Sequence, residues 1–196
     1  MLKLFFKCTR AVAAIEFALI CPILIMLIIG VFELDRALTF DRKLSNAVAS
    51  AVDLVGREKD VSANLADVFE ATEQILEPFP LTTVAVDMAV VQVNDAKEPE
   101  IVWSRRYDPG KKTKLSEGWT TAKFQSEIDV PDELLQPAEF IIVGRSVATH
   151  FPTFSTYFKS LTDISKFELS EVFFAKGRQV PCPEYNGNCA TALSGS

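Results

Sequence analysis

Residues 11–32 read AVAAIEFALICPILIMLIIGVF, and Glu16 is their only charge. At about 1.5 Å per residue this run makes a helix of roughly 33 Å, enough to cross the hydrocarbon layer of a bilayer. A core helix of a soluble domain is the alternative, and it fits poorly. Residues 19–29 are apolar on every face, which a half-solvated helix does not tolerate.

The flanks orient the span. Lys3, Lys7 and Arg10 precede it with no acid among them, whereas Glu33, Asp35, Arg36, Asp41, Arg42 and Lys43 follow as a mixed set. The positive-inside bias keeps the short N-terminus in the cytoplasm and sends everything after about residue 34 across. A cleaved secretory signal shares the basic start. It does not share a glutamate inside the apolar stretch, and no A-x-A site follows the run. The reading is an uncleaved signal-anchor, or a helix cut before the span rather than after it.

Cysteine placement agrees with that topology. Cys8 lies in the basic stub and Cys21 inside the span, so neither pairs in an outer domain. Cys182 and Cys189 enclose PEYNGN, rich in turn formers. In an oxidising compartment these two form a small-ring disulfide, worth roughly 2–3 kcal/mol in the chain-entropy model. The 196 residues suit one compact outer domain, and an apolar share of 48% excludes a disordered chain. A net charge of −6 argues against a nucleic-acid partner.

Beyond the span, Ala37, Leu38, Leu44, Val48, Ala51, Val52 and Val55 recur at threes and fours. This predicts that the helix continues as an amphipathic rod to a stop at Gly56. Asp60 or Ser62 is the expected cap of a second helix with the stripe Leu65, Val68, Phe69, Thr72, Ile75 and Leu76, ended by Pro78 and Pro80. The period then changes to two. Val84, Val86, Met88 and Val90 predict one strand, and Ile101, Trp103 and Tyr107 a second. KKTKLSEG reads as a polar loop. Thr120 to Val130 is expected to be a third strand, with Phe124, Ile128 and Val130 on one face. PDELLQP is a short helix or turn. Phe140 to Thr149 is a fourth strand, apolar enough to be central, and Phe167, Leu169, Phe173 and Ala175 suggest a fifth. The fold class is α+β: a long N-terminal helix packed on an antiparallel sheet of about five strands. The divisions are 1–11, a basic leader; 12–34, the transmembrane helix; 35–57, its continuation; 58–180, the outer domain; and 181–196, a tail with the disulfide loop.

Catalytic motifs are scarce. There is no G-x-S-x-G, no Gly-rich phosphate loop, no H-x-x-x-H and no C-x-x-C, and the sequence implies no cofactor or metal. His150, beside Phe151 and Pro152, reads as structural or surface-lying. Arg105, Arg106 and KKTK at 111–114 form a basic patch that reads as a solvated loop tip. Asp132 and Glu133 begin a short helical turn, where the helix dipole favours them, and Asp129 with Asp132 gives no glycosidase geometry. Phe151, Phe154 and Phe158 are core or a partner-facing patch. Glu16 stands apart: a carboxylate in a membrane span costs about 2.5–3.5 kcal/mol on insertion scales. It can snorkel toward Arg10, or it can meet an opposite charge at its own depth. A new amino terminus at Val12 on a neighbouring chain would supply one and would fix the stagger between parallel helices.

RAVAAIEFALICPILIMLIIGVFELDRA, residues 10–37, resembles the N-terminal region of TadE-like proteins, pseudopilins of the tight-adherence (Tad/Flp) pilus system. Arg10, Ala11, Glu16, Phe17, Pro22 and Gly30-Phe32-Glu33 match positions of the pattern. The resemblance implies a prepilin peptidase cutting between Ala11 and Val12, in a bacterial inner-membrane protein with a periplasmic outer domain. Ala11 departs from the pattern, since members that are cut usually carry glycine there. The implied function is that of a non-enzymatic minor pseudopilin supporting pilus assembly and adhesion. Its partners would be other pilin or pseudopilin subunits, the Tad inner-membrane machinery and the membrane itself. The alternative is a single-pass anchored periplasmic module that recruits an envelope partner without a pilus. A tethered hydrolase would need a pocket of convergent titratable groups, for which the sequence offers no motif.

Overall fold

A computed structural model describes residues 9–152 and 166–189, with side chains from Val12 onward. Cys8, most of the basic leader, and Phe154 and Phe158 of the aromatic cluster lie outside the described residues. The chain divides into two compact units, Met1–Thr39 with Phe151–Ser165, and Phe40–His150 with Lys166–Ser196.

Helix α1, Thr9–Arg57, runs for 49 residues and carries Pro22 inside it. In the first unit its apolar side chains face outward; Phe17, Leu19, Ile23, Leu27 and Phe32 are all exposed. In the second unit the helix turns amphipathic. Leu44, Val48, Ala51, Val52 and Val55 are buried at threes and fours, as the stripe predicts, and Phe40 and Ala47, outside that stripe, are buried with them. Leu38, counted in that stripe, is exposed. The helix includes Gly56 and ends at Arg57, whose guanidinium pairs with Asp53 one turn earlier at 2.6 Å.

Helix α2, Leu65–Leu76, buries Leu65, Val68, Phe69, Thr72 and Leu76. Its cap position is Asn64, not Asp60 or Ser62, and no side chain caps it. Those two residues are engaged locally instead. The Asp60 carboxylate accepts from the Ser62 backbone N–H at 2.8 Å and from its hydroxyl at 2.5 Å.

The sheet contains β1 (Val84–Val93), β2 (Pro99–Tyr107), β3 (Leu115–Glu117), β4 (Phe140–His150) and β5 (Phe167–Ala175). The spatial order is β3-β2-β1-β4-β5, antiparallel throughout. β1 is therefore the middle strand, with β4 beside it, and both are apolar enough for an interior place.

Two expectations are corrected. Thr120 to Val130 is not a strand: Thr121–Glu127 is a short helix, α3. Phe124 and Ile128 lie four residues apart, a spacing that serves a helix as well as a strand face, and both are buried. The remaining strand is β3, hidden in the polar KKTKLSEG stretch, where three residues pair with Arg105–Tyr107.

Because α3 and the segment after it cover the far side, the sheet has two cores. Val84, Val86, Met88, Val90, Phe140 and Ile142 pack toward α1 and α2. Ala89, Val91, Val93, Ile141 and Val143 pack against Trp119, Phe124, Ile128 and Val130. The helix approaches the sheet closely at Gly144. A methyl group there would sit 2.3 Å from Val52 Cγ2 and 3.0 Å from Val48 Cγ2.

Candidate functional site

The N-terminal motif lies on one helical run. Val12 and Glu16 stand one turn apart on the same face, and Phe17 follows, 65% exposed. Arg10 and Ala11 belong to the same helix by backbone. Further along, Cys21 is half-buried and Pro22 interrupts the helical hydrogen bonding. The most apolar 18-residue window of the helix has a mean hydropathy of 2.8, and none of it is buried by the rest of the chain. A core helix of a soluble protein would be covered. This one is long and apolar enough to cross a membrane, and it carries an acid near its start.

Residues 11–53 match the family model of TadE-like proteins. The match starts at the alanine expected to precede a cut, takes in Glu16, Phe17 and Pro22, and ends on the buried stripe of the second unit. No curated protein and no solved structure matches the chain. The TadE-like segment thus accounts for most of α1, and the sheet must be read from its own chemistry.

That chemistry is mostly ion pairing. The basic patch read from sequence is divided among partners. Lys111 and Arg106 both reach Asp108, at 2.8 and 3.2 Å, and Lys114 reaches Glu73 at 3.0 Å. The Arg105 guanidinium lies over the Tyr185 ring at 4.7 Å. Arg106 also reaches Asp87 at 3.0 Å, and Arg145 reaches the same carboxylate from the other side at 3.0 Å. Asp87, Arg106 and Arg145 are direct register partners on β1, β2 and β4. Arg145 extends the row to Glu127 at 2.7 Å and lies over Trp119 at 4.8 Å. The Glu127 carboxyl feels burial, but the Trp119 indole and the Arg145 guanidinium outweigh it and hold the group below its ordinary range. This cross-strand row was invisible in the sequence, since a lone Asp between Val86 and Met88 gives no sign of two arginines many residues away.

A second cluster ties α2 to the sheet. The Tyr107 hydroxyl donates to Glu73 at 2.6 Å, and its ring stacks on Phe69 at 4.9 Å. Burial, and then the neighbouring carboxylate, push the phenol up to about 12. It is a structural donor, not a proton shuttle.

His150 is buried, 6.0 Å from the Phe40 ring, as a structural residue would be. Asp132 and Glu133 open a single 3₁₀ turn. An open cleft of about 560 Å³ is lined by Glu139, Phe140, Lys176, Arg178 and Pro181, among others. Its charges are paired, Lys176 with Glu139 and Arg178 with Asp53. Among the described residues no group of His, Cys, Asp and Glu could hold a metal ion.

The disulfide is present: Cys182 and Cys189 are bonded across a Cα–Cα distance of 6.0 Å.

One carboxyl is placed at a cost. Burial, and then the Asp41 charge, raise Glu171 above its ordinary 4.5. A raised carboxyl contributes stability that is present below its unfolded value and lost as pH rises through the folded one. Glu171→Gln therefore raises the unfolding temperature at pH 7, with the gain vanishing below pH 4.5. Thermal unfolding of the full chain in detergent at both pH values measures this. An equal gain at both would show that charge is not the cause.

Proposed function

We propose that this chain is a minor pseudopilin-like component of a Tad-type pilus, non-enzymatic, which supports assembly of a surface filament used in adhesion. The observation that carries the reading is the match of residues 11–53 to TadE-like proteins, on a helix whose most apolar stretch the rest of the chain leaves bare. In this reading residues 12–34 span the inner membrane with the N-terminus in the cytoplasm, residues 35–57 continue the helix into the periplasm, and the sheet domain lies outside. A prepilin peptidase removes the leader between Ala11 and Val12. The new amine of one subunit then meets Glu16 of a neighbour, pairing two charges in a medium that screens them little. Other pilin or pseudopilin subunits and the inner-membrane Tad machinery are the partners. Ala11 in place of glycine favours a second form, an uncut anchor that recruits an envelope partner without entering a filament.

Glu16→Ala separates the two. In the filament reading, the variant inserts into the membrane at normal levels while surface pili fall by roughly tenfold or more, because the stagger between helices loses its fixing charge. Normal piliation would overturn it. Sequencing the mature N-terminus decides the cut: Val12 supports processing and Met1 removes it.

A further inference from the structure

The C-terminal loop is built into the second unit. After β5 the chain returns to the end of α1, where the Arg178 backbone N–H donates to the Gly56 carbonyl at 2.7 Å. It then runs beside the segment joining α1 to α2. Glu184 N–H donates to the Lys59 carbonyl at 2.8 Å, Val61 N–H returns to the Glu184 carbonyl at 2.9 Å, and Asn186 N–H donates to the Ser62 hydroxyl at 2.8 Å. From the other side, the Trp103 indole donates to the Pro183 carbonyl at 2.8 Å, and Tyr185 lies 5.5 Å from the Trp103 ring. The docked loop leaves Cys182 6% and Cys189 4% exposed.

Thiol–disulfide exchange needs a thiolate to reach a sulfur along the S–S axis, so access controls its rate. A bond this covered can be neither made nor broken while the loop is docked. We propose that Cys182–Cys189 is a one-way latch, formed while the loop is free and then shielded by docking on the α1–α2 junction. The oxidant is a thiol oxidase carrying an exchangeable disulfide. One cysteine thiolate attacks it to give a mixed disulfide. The second displaces the oxidase sulfur, and two electrons and two protons leave with the oxidase as a dithiol. The closed ring limits the loop to conformations that fit the junction, and the buried sulfurs then resist reductant. This proposal does not depend on the filament reading, since it needs only an oxidising compartment.

The test uses the full chain in detergent micelles, in a Cys8→Ser, Cys21→Ser background so that only two thiols report. Reduction by a dithiol is followed by mass-tagging the freed thiols. Reduction of the folded protein is expected to be at least about tenfold slower than in urea, since it waits on local opening. Tyr185→Ala, which removes the Trp103 and Arg105 contacts, speeds it. Ser62→Ala removes the bond from Asn186 together with the hydroxyl's own bond to Asp60, and serves if Tyr185→Ala does not fold; it also speeds reduction. Trypsin adds a local readout, cutting after Arg57 and Lys59 once the bond is reduced and before it cuts within the sheet. Equal reduction rates in buffer and urea, no acceleration in a folded variant, or no preference for the junction would overturn the proposal.

Discussion

Asp87→Ala unfolds far more easily than the wild type, losing about 3–5 kcal/mol. The Asp87 side chain is 2% exposed on the middle strand, and it is the shared partner of Arg106 and Arg145. Removing it leaves two guanidinium groups facing each other across β1. Arg106 has Asp108 and some access to water. Arg145 is the more buried of the two and keeps, among the described residues, only Glu127 as an anion. The loss is mainly the cost of that stranded positive charge, which is why it exceeds the worth of an exposed pair. The unfolding temperature of the full chain in detergent should fall on the order of 10 °C. Asp87→Asn keeps the shape and an acceptor but not the charge, and falls between. A loss under about 1 kcal/mol for the alanine variant would mean that the arginines find water easily.

Gly144→Val is the second large effect. Its new side chain meets Val52 and Val48, which are 2% and 0% exposed and branched at Cβ, so neither can swing aside. Overpacking of this kind costs about 1–3 kcal/mol for the first carbons, and more as the side chain grows. Gly144→Ala samples the lower end, because a strand gains slightly from any residue other than glycine. Val52→Ala opens space opposite. Combined with Gly144→Ala it should cost less than the two separate losses added, a non-additivity read from denaturant unfolding of the four proteins. Strict additivity would show that α1 does not approach β4 as closely as Gly144 implies.

Much of this architecture follows from short-range patterns. A run that is apolar on every face gives α1 its first half, and recurrence at threes and fours gives its second. Alternation gives β1 and β2, and continuous apolar character gives β4. Those signals work because a periodic stripe has only one secondary structure that buries it. α3 and β3 fail for the same reason. The helix is seven residues long, too short to show a period, and Phe124 and Ile128 suit either geometry. β3 is three residues held by their neighbour on β2, and its one apolar side chain, Leu115, is too little to show an alternation. The expected cap at Asp60 or Ser62 fails because the Asp60 carboxylate holds Ser62, while the Ser62 hydroxyl accepts from Asn186 of the C-terminal loop, a demand arising 124 residues away. The N-terminal motif was legible from residue types alone. The Asp87 row was not, because strand pairing and not sequence spacing assembles it.

The strand order has a bearing on how such a chain is made. β1 and β2 are joined by a short turn and can close as soon as both exist. β1's other neighbour is β4, which ends at His150. While the polypeptide emerges N-terminus first, the hairpin must wait with one bare side for more than 40 further residues. Synthesis therefore passes through a stage in which a long, oily ribbon lacks its mate, the stage at which holding chaperones have most to do.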